Sequence, residues 1–229
     1  MSDAAPSRWD DYLDVFVSPS RLFERRSDGK FGQAMLVFVI AATVIYFATR
    51  TAMQPIMDAE FARGMAANPN LTPEQIETGK KFAGIATSIF TIVGWPVIIL
   101  IVGAIICMAV MLVGKRLTYS QGATIAAFAM FPRLVDFVVS AVQALLMDES
   151  TLNSRFKVSL GVGRFLDPDS GVLIALAGRL DVFTLWITLL IGIGIKVMTK
   201  ATTGQAALAA AFVWLVGAFP ALLGALRAG

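Results

Sequence analysis

From Phe82 to Gly114 the chain carries no charged residue. As a helix such a run is roughly 50 Å long at ~1.5 Å per residue, against a bilayer hydrocarbon core of about 30 Å. It has to cross a membrane, and it has to tilt, bend or protrude as it does so. Gly94-Trp95-Pro96 sets the bend, because Pro96 removes a backbone donor and crowds the preceding turn. Four more apolar runs have spanning length, so spans fall at about 31–49, 82–113, 119–147, 181–199 and 204–226. The chain is 57% hydrophobic and 15% charged, which leaves little for a separate soluble part. The expected fold is all-α, a polytopic membrane helix bundle with five transmembrane helices, and residues 1–229 read as one integral membrane domain.

The third span is the unusual one. Tyr119 to Met147 is apolar enough to enter lipid, yet it holds Pro132, Arg133 and Asp136 at its centre. Pro132 predicts a kinked third helix. An ionisable side chain in hydrocarbon costs about 2.5–3.5 kcal/mol on insertion scales, so it faces protein or a wet cavity. Arg133 and Asp136 are three apart and share a helical face. Asp181, at the start of the fourth span, is expected at a similar depth. An intramembrane polar cluster of Arg133, Asp136 and Asp181 follows. It reads either as a structural ion-pair group that fixes helix packing, or as a site for an ion, a proton or a lipid headgroup.

The chain has no histidine and a single cysteine, Cys107, inside an apolar run. That excludes a histidine base, a histidine or cysteine metal centre and an internal disulfide. No phosphate-binding glycine loop, nucleophile elbow or zinc motif is present, so no cofactor and no enzymatic activity are expected. The net charge of +3 comes from basic residues that flank apolar spans. It points to anionic lipid and topology control, not to nucleic acid.

Residues 1–30 hold no short apolar core with a cleavage site, so no cleavable signal peptide is expected. They form a charged segment in which Trp9, Leu13, Phe16 and Val17 recur on one helical face, opposite Asp10, Asp11 and Asp14. Ser18 is placed to cap a second short helix that starts at Pro19 and carries Leu22 and Phe23 beside Arg21, Arg25 and Arg26. The segment reads as an N-terminal amphipathic helix in the membrane interface. Trp9, Leu13, Phe16, Pro19 and Phe23 would be its interfacial or partner surface, or else it packs as a cap on the bundle.

Between the first two spans, Leu71-Thr72-Pro73-Glu74-Gln75 reads as a helix start that runs on into the second span, and Pro55 and Pro69 punctuate the polar stretch before it. In residues 148–180 the alternation of Phe156, Val158, Leu160 and Val162 fits a short strand or hairpin, and Leu173–Leu176 a surface helix. Gly192 and Gly194 allow close helix approach in span four. The N-terminal segment carries Arg8, Arg21, Arg25, Arg26 and Lys30. The tight turns carry Lys115 with Arg116, and Lys196 with Lys200, without an acid between them. The positive-inside rule then places the N-terminus in the cytoplasm and the C-terminus outside, with a bacterial inner membrane as the expected location.

Three pieces together resemble a known family. They are Trp9, Val15-Phe16, Pro19 and Phe23 before span one; Tyr119, Ala126-Ala127-Phe128 and Phe131-Pro132 in span three; and Asp181-Val182-Phe183-Thr184-Leu185-Trp186 leading into span four. The pattern is similar to the Yip (Ypt-interacting protein) domain family in its short prokaryotic form. The resemblance implies a five-helix membrane bundle with a cytoplasmic N-terminus, and links eukaryotic members to small GTPases of the Rab type and vesicle traffic. Here the N-terminal segment is short and the second outer loop long, so small-GTPase binding is not carried over. The expected function is a membrane scaffold or organiser, partnered by the lipid bilayer and by other membrane proteins, and able to form a homo-oligomer. The alternative is a small transporter or channel whose path Arg133, Asp136 and Asp181 line.

Overall fold

The computed structural model describes residues 9–66 and 72–228. Arg8, Pro69 and Leu71, used in the sequence reading, lie outside the described residues. Among the described residues, ten α-helices follow in chain order: α1 Asp10–Val17, α2 Pro19–Arg25, α3 Gly32–Thr49, α4 Gln54–Ala66, α5 Pro73–Leu112, α6 Tyr119–Ala129, α7 Pro132–Leu146, α8 Val172–Ala177, α9 Val182–Thr199 and α10 Thr203–Ala228. Among these described residues, five stretches are long and apolar enough to cross a membrane: α3, α5, α6 with α7, α9 and α10. The fold is an all-α polytopic helix bundle.

The third span is interrupted. α6 ends at Ala129, Met130 and Phe131 turn, and α7 begins on Pro132. Proline has no N–H to give to the carbonyl four residues back. That carbonyl, on Phe128, accepts from the Phe131 N–H at 3.1 Å instead. α5, in contrast, is continuous through Pro96. Its start is the expected one: Thr72 accepts from the Gln75 N–H, and the Gln75 side chain accepts from the Thr72 N–H at 2.9 Å, a capping box. The short α4 before it was not foreseen, since its mixed charges and two methionines show no clear period.

The chain divides into two compact units. One comprises Met1–Phe38, Ile98–Pro132 and Leu185–Gly217; the other comprises Val39–Val97, Arg133–Thr184 and Ala218–Gly229. In the first unit, α5 and α6 approach backbone to backbone at Gly103 and Gly122. The basic turns meet there: Lys115 Nζ donates to the Lys200 carbonyl at 3.4 Å, and Gln205 Nε2 to the Val113 carbonyl at 3.1 Å. The chain leading into α3 joins them, because Gln121 Nε2 donates to the Ser27 carbonyl at 2.9 Å.

In the second unit, Ile56, Ala144, Leu152 and Val158 make a small buried core, flanked by Met53 and Met147. The short strand or hairpin read over Leu152–Phe165 is not present. The segment forms 3-10 turns at Arg155–Val158 and Val162–Phe165, and one isolated antiparallel bridge pairs Gly161 with Asp181. The Ser154 side chain accepts from the Phe156 N–H at 3.0 Å, and this local bond turns the backbone out of an extended course. Gly161 and Gly163 lie against Asp181 and Gly178, positions that a Cβ would crowd. α8 supplies the expected helix before span four.

Candidate functional site

The charges of the third span and Asp181, just before the fourth, lie in the second unit. Arg133, Asp136, Ser140 and Gln143 are spaced three, four and three residues apart, so α7 carries a polar stripe along one face. Arg133 Nη1 donates to Asp136 Oδ2 at 2.6 Å and Nη2 to Thr184 Oγ1 at 3.2 Å. The Ser140 hydroxyl lies 3.4 Å from both the other Asp136 oxygen and the Val158 carbonyl, and its one proton serves either. Asp181, only 7% exposed, accepts the backbone N–H groups of Phe183 and Thr184 at 3.0 and 2.9 Å and so caps α9. Arg133 and Asp136 are therefore paired directly, and Asp181 joins them through Thr184. Arg179 completes the charges. Burial pushes its guanidinium below the ordinary arginine value, the nearby Arg133 charge acts in the same direction, and Asp181 opposes both.

Further along the stripe, Gln143 Nε2 donates to the buried Val158 carbonyl at 2.7 Å, and Arg164 Nη1 donates to Gln143 Oε1 at 3.3 Å. The 148–180 segment is thereby tied to α7. A second tether runs to α4, where Arg63 Nη2 donates to the Asn153 carbonyl at 2.6 Å and Nε approaches Asp169 at 2.8 Å. Ser140, Gln143 and Thr184 were missed in the sequence reading. The three-four-three spacing from Arg133 was the signal that pointed to the first two.

A second polar cluster lies at the N-terminus, in the first unit. Asp11, which the sequence reading places opposite the apolar face, is 3% exposed. Arg25 binds Asp11 at 2.7 Å and Asp14 at 2.5 Å, and Arg26 Nε donates to Asp11 at 2.6 Å. The cluster locks α1 against α2. Ser18 stands at the start of α2, with Pro19 at its first position, but no capping bond from the Ser18 side chain forms.

The five residues read as one apolar surface divide. Trp9 and Leu13 are exposed, together with Val17. Phe16 turns inward and meets Trp186 edge-on, with ring centroids 5.5 Å apart. Phe23 is fully buried, its ring against Gly194, and Pro19 is half-buried. The correction has a simple origin: with α1 and α2 folded back on each other, residues of one apolar stripe need not face the same way. Tyr12, between the two faces, packs its ring at a tilt against Phe128 and Phe131.

Comparison with curated proteins gives no match, and comparison with solved structures gives none. The five spanning stretches and the broken third span accompany a match to the Yip1 domain over residues 13–224. That match takes in nearly the whole chain, and the protein belongs to the Yip1 domain family of integral membrane proteins.

Proposed function

We propose that the protein is a non-enzymatic membrane scaffold that binds other membrane or membrane-associated proteins. In this reading residues 1–229 act as one membrane domain in a bacterial inner membrane, with the N-terminus cytoplasmic. The observation that carries it is how the intramembrane charge is used. Arg133 is bound to Asp136 and Thr184, Asp136 also to Ser140, and Asp181 to the start of α9. Groups engaged in this way stabilise a fixed bundle, whereas a permeation path needs groups that change partners during each cycle. The outward row Trp9, Leu13 and Val17 is the contact surface of this proposal, and small-GTPase binding is no part of it.

Crosslinking in native membranes followed by pulldown tests the reading. Wild type is compared with Trp9→Ala/Leu13→Ala and with Arg133→Gln. Defined protein partners that disappear only with the Trp9/Leu13 change support the scaffold. No partner in any form, together with vesicle flux of an ion or lipid that Arg133→Gln abolishes, turns the account to a transporter lined by Arg133, Asp136 and Asp181.

A further inference from the structure

The first unit fixes how far α1 and α2 reach along the spans. At the turns, Gln121 Nε2 holds the Ser27 carbonyl, and a Cβ on Gly29 would come within 2.7 Å of Ser120 Oγ. One step inward, the Phe23 ring lies against Gly194, which is about 8 Å along α9 from Thr199 at ~1.5 Å per residue. The Tyr12 ring meets Phe128 at a tilt, roughly 14 Å along α6 from Tyr119. Phe16 meets Trp186, roughly 20 Å along α9 from Thr199. A helix lying on the membrane surface at the level of the turns cannot make these last two contacts. With a hydrocarbon core of about 30 Å, they lie well inside it.

We propose that α1 and α2 form a re-entrant hairpin within the bilayer, and that the row Trp9, Leu13 and Val17 is covered by lipid acyl chains. The charges fit this placement. Two carboxylates, Asp11 and Asp14, and two guanidinium groups, Arg25 and Arg26, turn on one another and sum to zero, while Asp10, the first residue of α1, is a further carboxylate outside this sum, at the end of the arm away from the tip. An interfacial helix directs its arginines outward to phosphate, whereas a segment in hydrocarbon has to neutralise them internally. The outward row is apolar along α1, with Trp9, Leu13 and Val17 exposed by 68%, 69% and 75%. Arg21 and Glu24, exposed on α2 and three residues apart, lie on the shallow arm nearer the turns, where long side chains reach the interface. The hairpin rests on α6 and α9 being membrane spans, and the row it gives to lipid in the partner-free protein is the one the scaffold reading offers to a partner. If both hold, a protein that displaces lipid from this row is itself a membrane-spanning one.

The test is spin-label accessibility in phosphatidylethanolamine/phosphatidylglycerol bilayers. Labels go on Leu13→Cys or Val17→Cys of the full chain carrying Cys107→Ser. A Leu189→Cys label serves as the reference on the exposed face of α9, and a Ser27→Cys label as the reference at the turns. The expected result is an oxygen-to-nickel-chelate collision ratio at positions 13 and 17 that matches position 189 and is severalfold above position 27. A ratio matching position 27 places α1 in headgroups or water and overturns the proposal. Exclusion of both reagents shows that protein, such as a second copy, covers the row, and overturns it as well. Positions 13 and 17 give the readout separately, so failure of one variant to fold leaves the other.

Discussion

An alanine at Gly103 would put a methyl group into backbone. A Cβ built there lies 2.8 Å from both the Cα and the N of Ala123, and a Cβ on Gly122 lies 2.6 Å from the Gly103 carbonyl oxygen. Carbon atoms in contact prefer about 3.5–4.0 Å, so α5 and α6 would have to part by about 1 Å. The obstacle is main chain, which cannot turn aside as a flexible side chain can. Overpacking of this kind costs about 1–3 kcal/mol. In the membrane, where helices associate mainly by van der Waals contact, no hydrophobic gain offsets it. A loss of that size lowers the folding equilibrium constant by roughly five- to 150-fold, at about 1.4 kcal/mol per factor of ten. Gly84 is the control, since a Cβ there meets nothing within 4 Å, and alanine in a helix interior is favoured over glycine by about 0.5–1 kcal/mol. Reversible unfolding in mixed micelles reads both. Gly103→Ala is expected to be destabilised and Gly84→Ala equal to or more stable than wild type. If Gly103→Ala unfolds at the same denaturant fraction as Gly84→Ala, the close approach of α5 and α6 is wrong.

The α9 cap and the α7 tether make separate predictions. Asp181→Ala removes the acceptor for the Phe183 and Thr184 N–H groups and is expected to cost about 1–2 kcal/mol, while Asp181→Asn retains most of the cap; thermal unfolding in detergent distinguishes them. Gln143→Leu removes the Nε2 donor to the buried Val158 carbonyl, which keeps the Ser140 hydroxyl, and the loss of about 0.5–1.5 kcal/mol should loosen the 148–180 segment. Trypsin cleavage at Arg155, Lys157 or Arg164 should then run several times faster than in wild type, and an unchanged rate would refute the tether.

The spans were legible because lipid leaves few alternatives: an uncharged run such as Phe82–Gly114 has one stable form in hydrocarbon. The break at Pro132 and the pairing of Arg133 with Asp136 were legible for a similar reason, since a missing N–H and a buried charge each act locally. What was not legible depended on distant partners. The burial of Asp11 was not legible because the arginines that bind it stand 14 and 15 positions away. Phe23 looked like a surface anchor because nothing in its own stretch announces Gly194. Gly103 and Gly122 were passed over although Gly192 and Gly194 were noticed, because an isolated glycine in an apolar run does not say which helix it faces. The 148–180 segment failed as a strand because Ser154 and the glycines set its turns, and its anchors, Gln143 and Arg63, lie on helices elsewhere.

The claim on which the account turns is that the charges of span three are architecture. The coupling between Arg133 and Asp136 measures this most directly, in a cycle of Arg133→Leu, Asp136→Leu and the double variant, each scored for unfolding free energy in micelles. Removing one partner strands a charge, whereas removing both leaves apolar groups that fit their surroundings. The account predicts a double variant more stable than either single one, a coupling of about 1 kcal/mol or more, and partner capture kept at the wild-type level. Losses that simply add, to within about 0.3–0.5 kcal/mol, would contradict it.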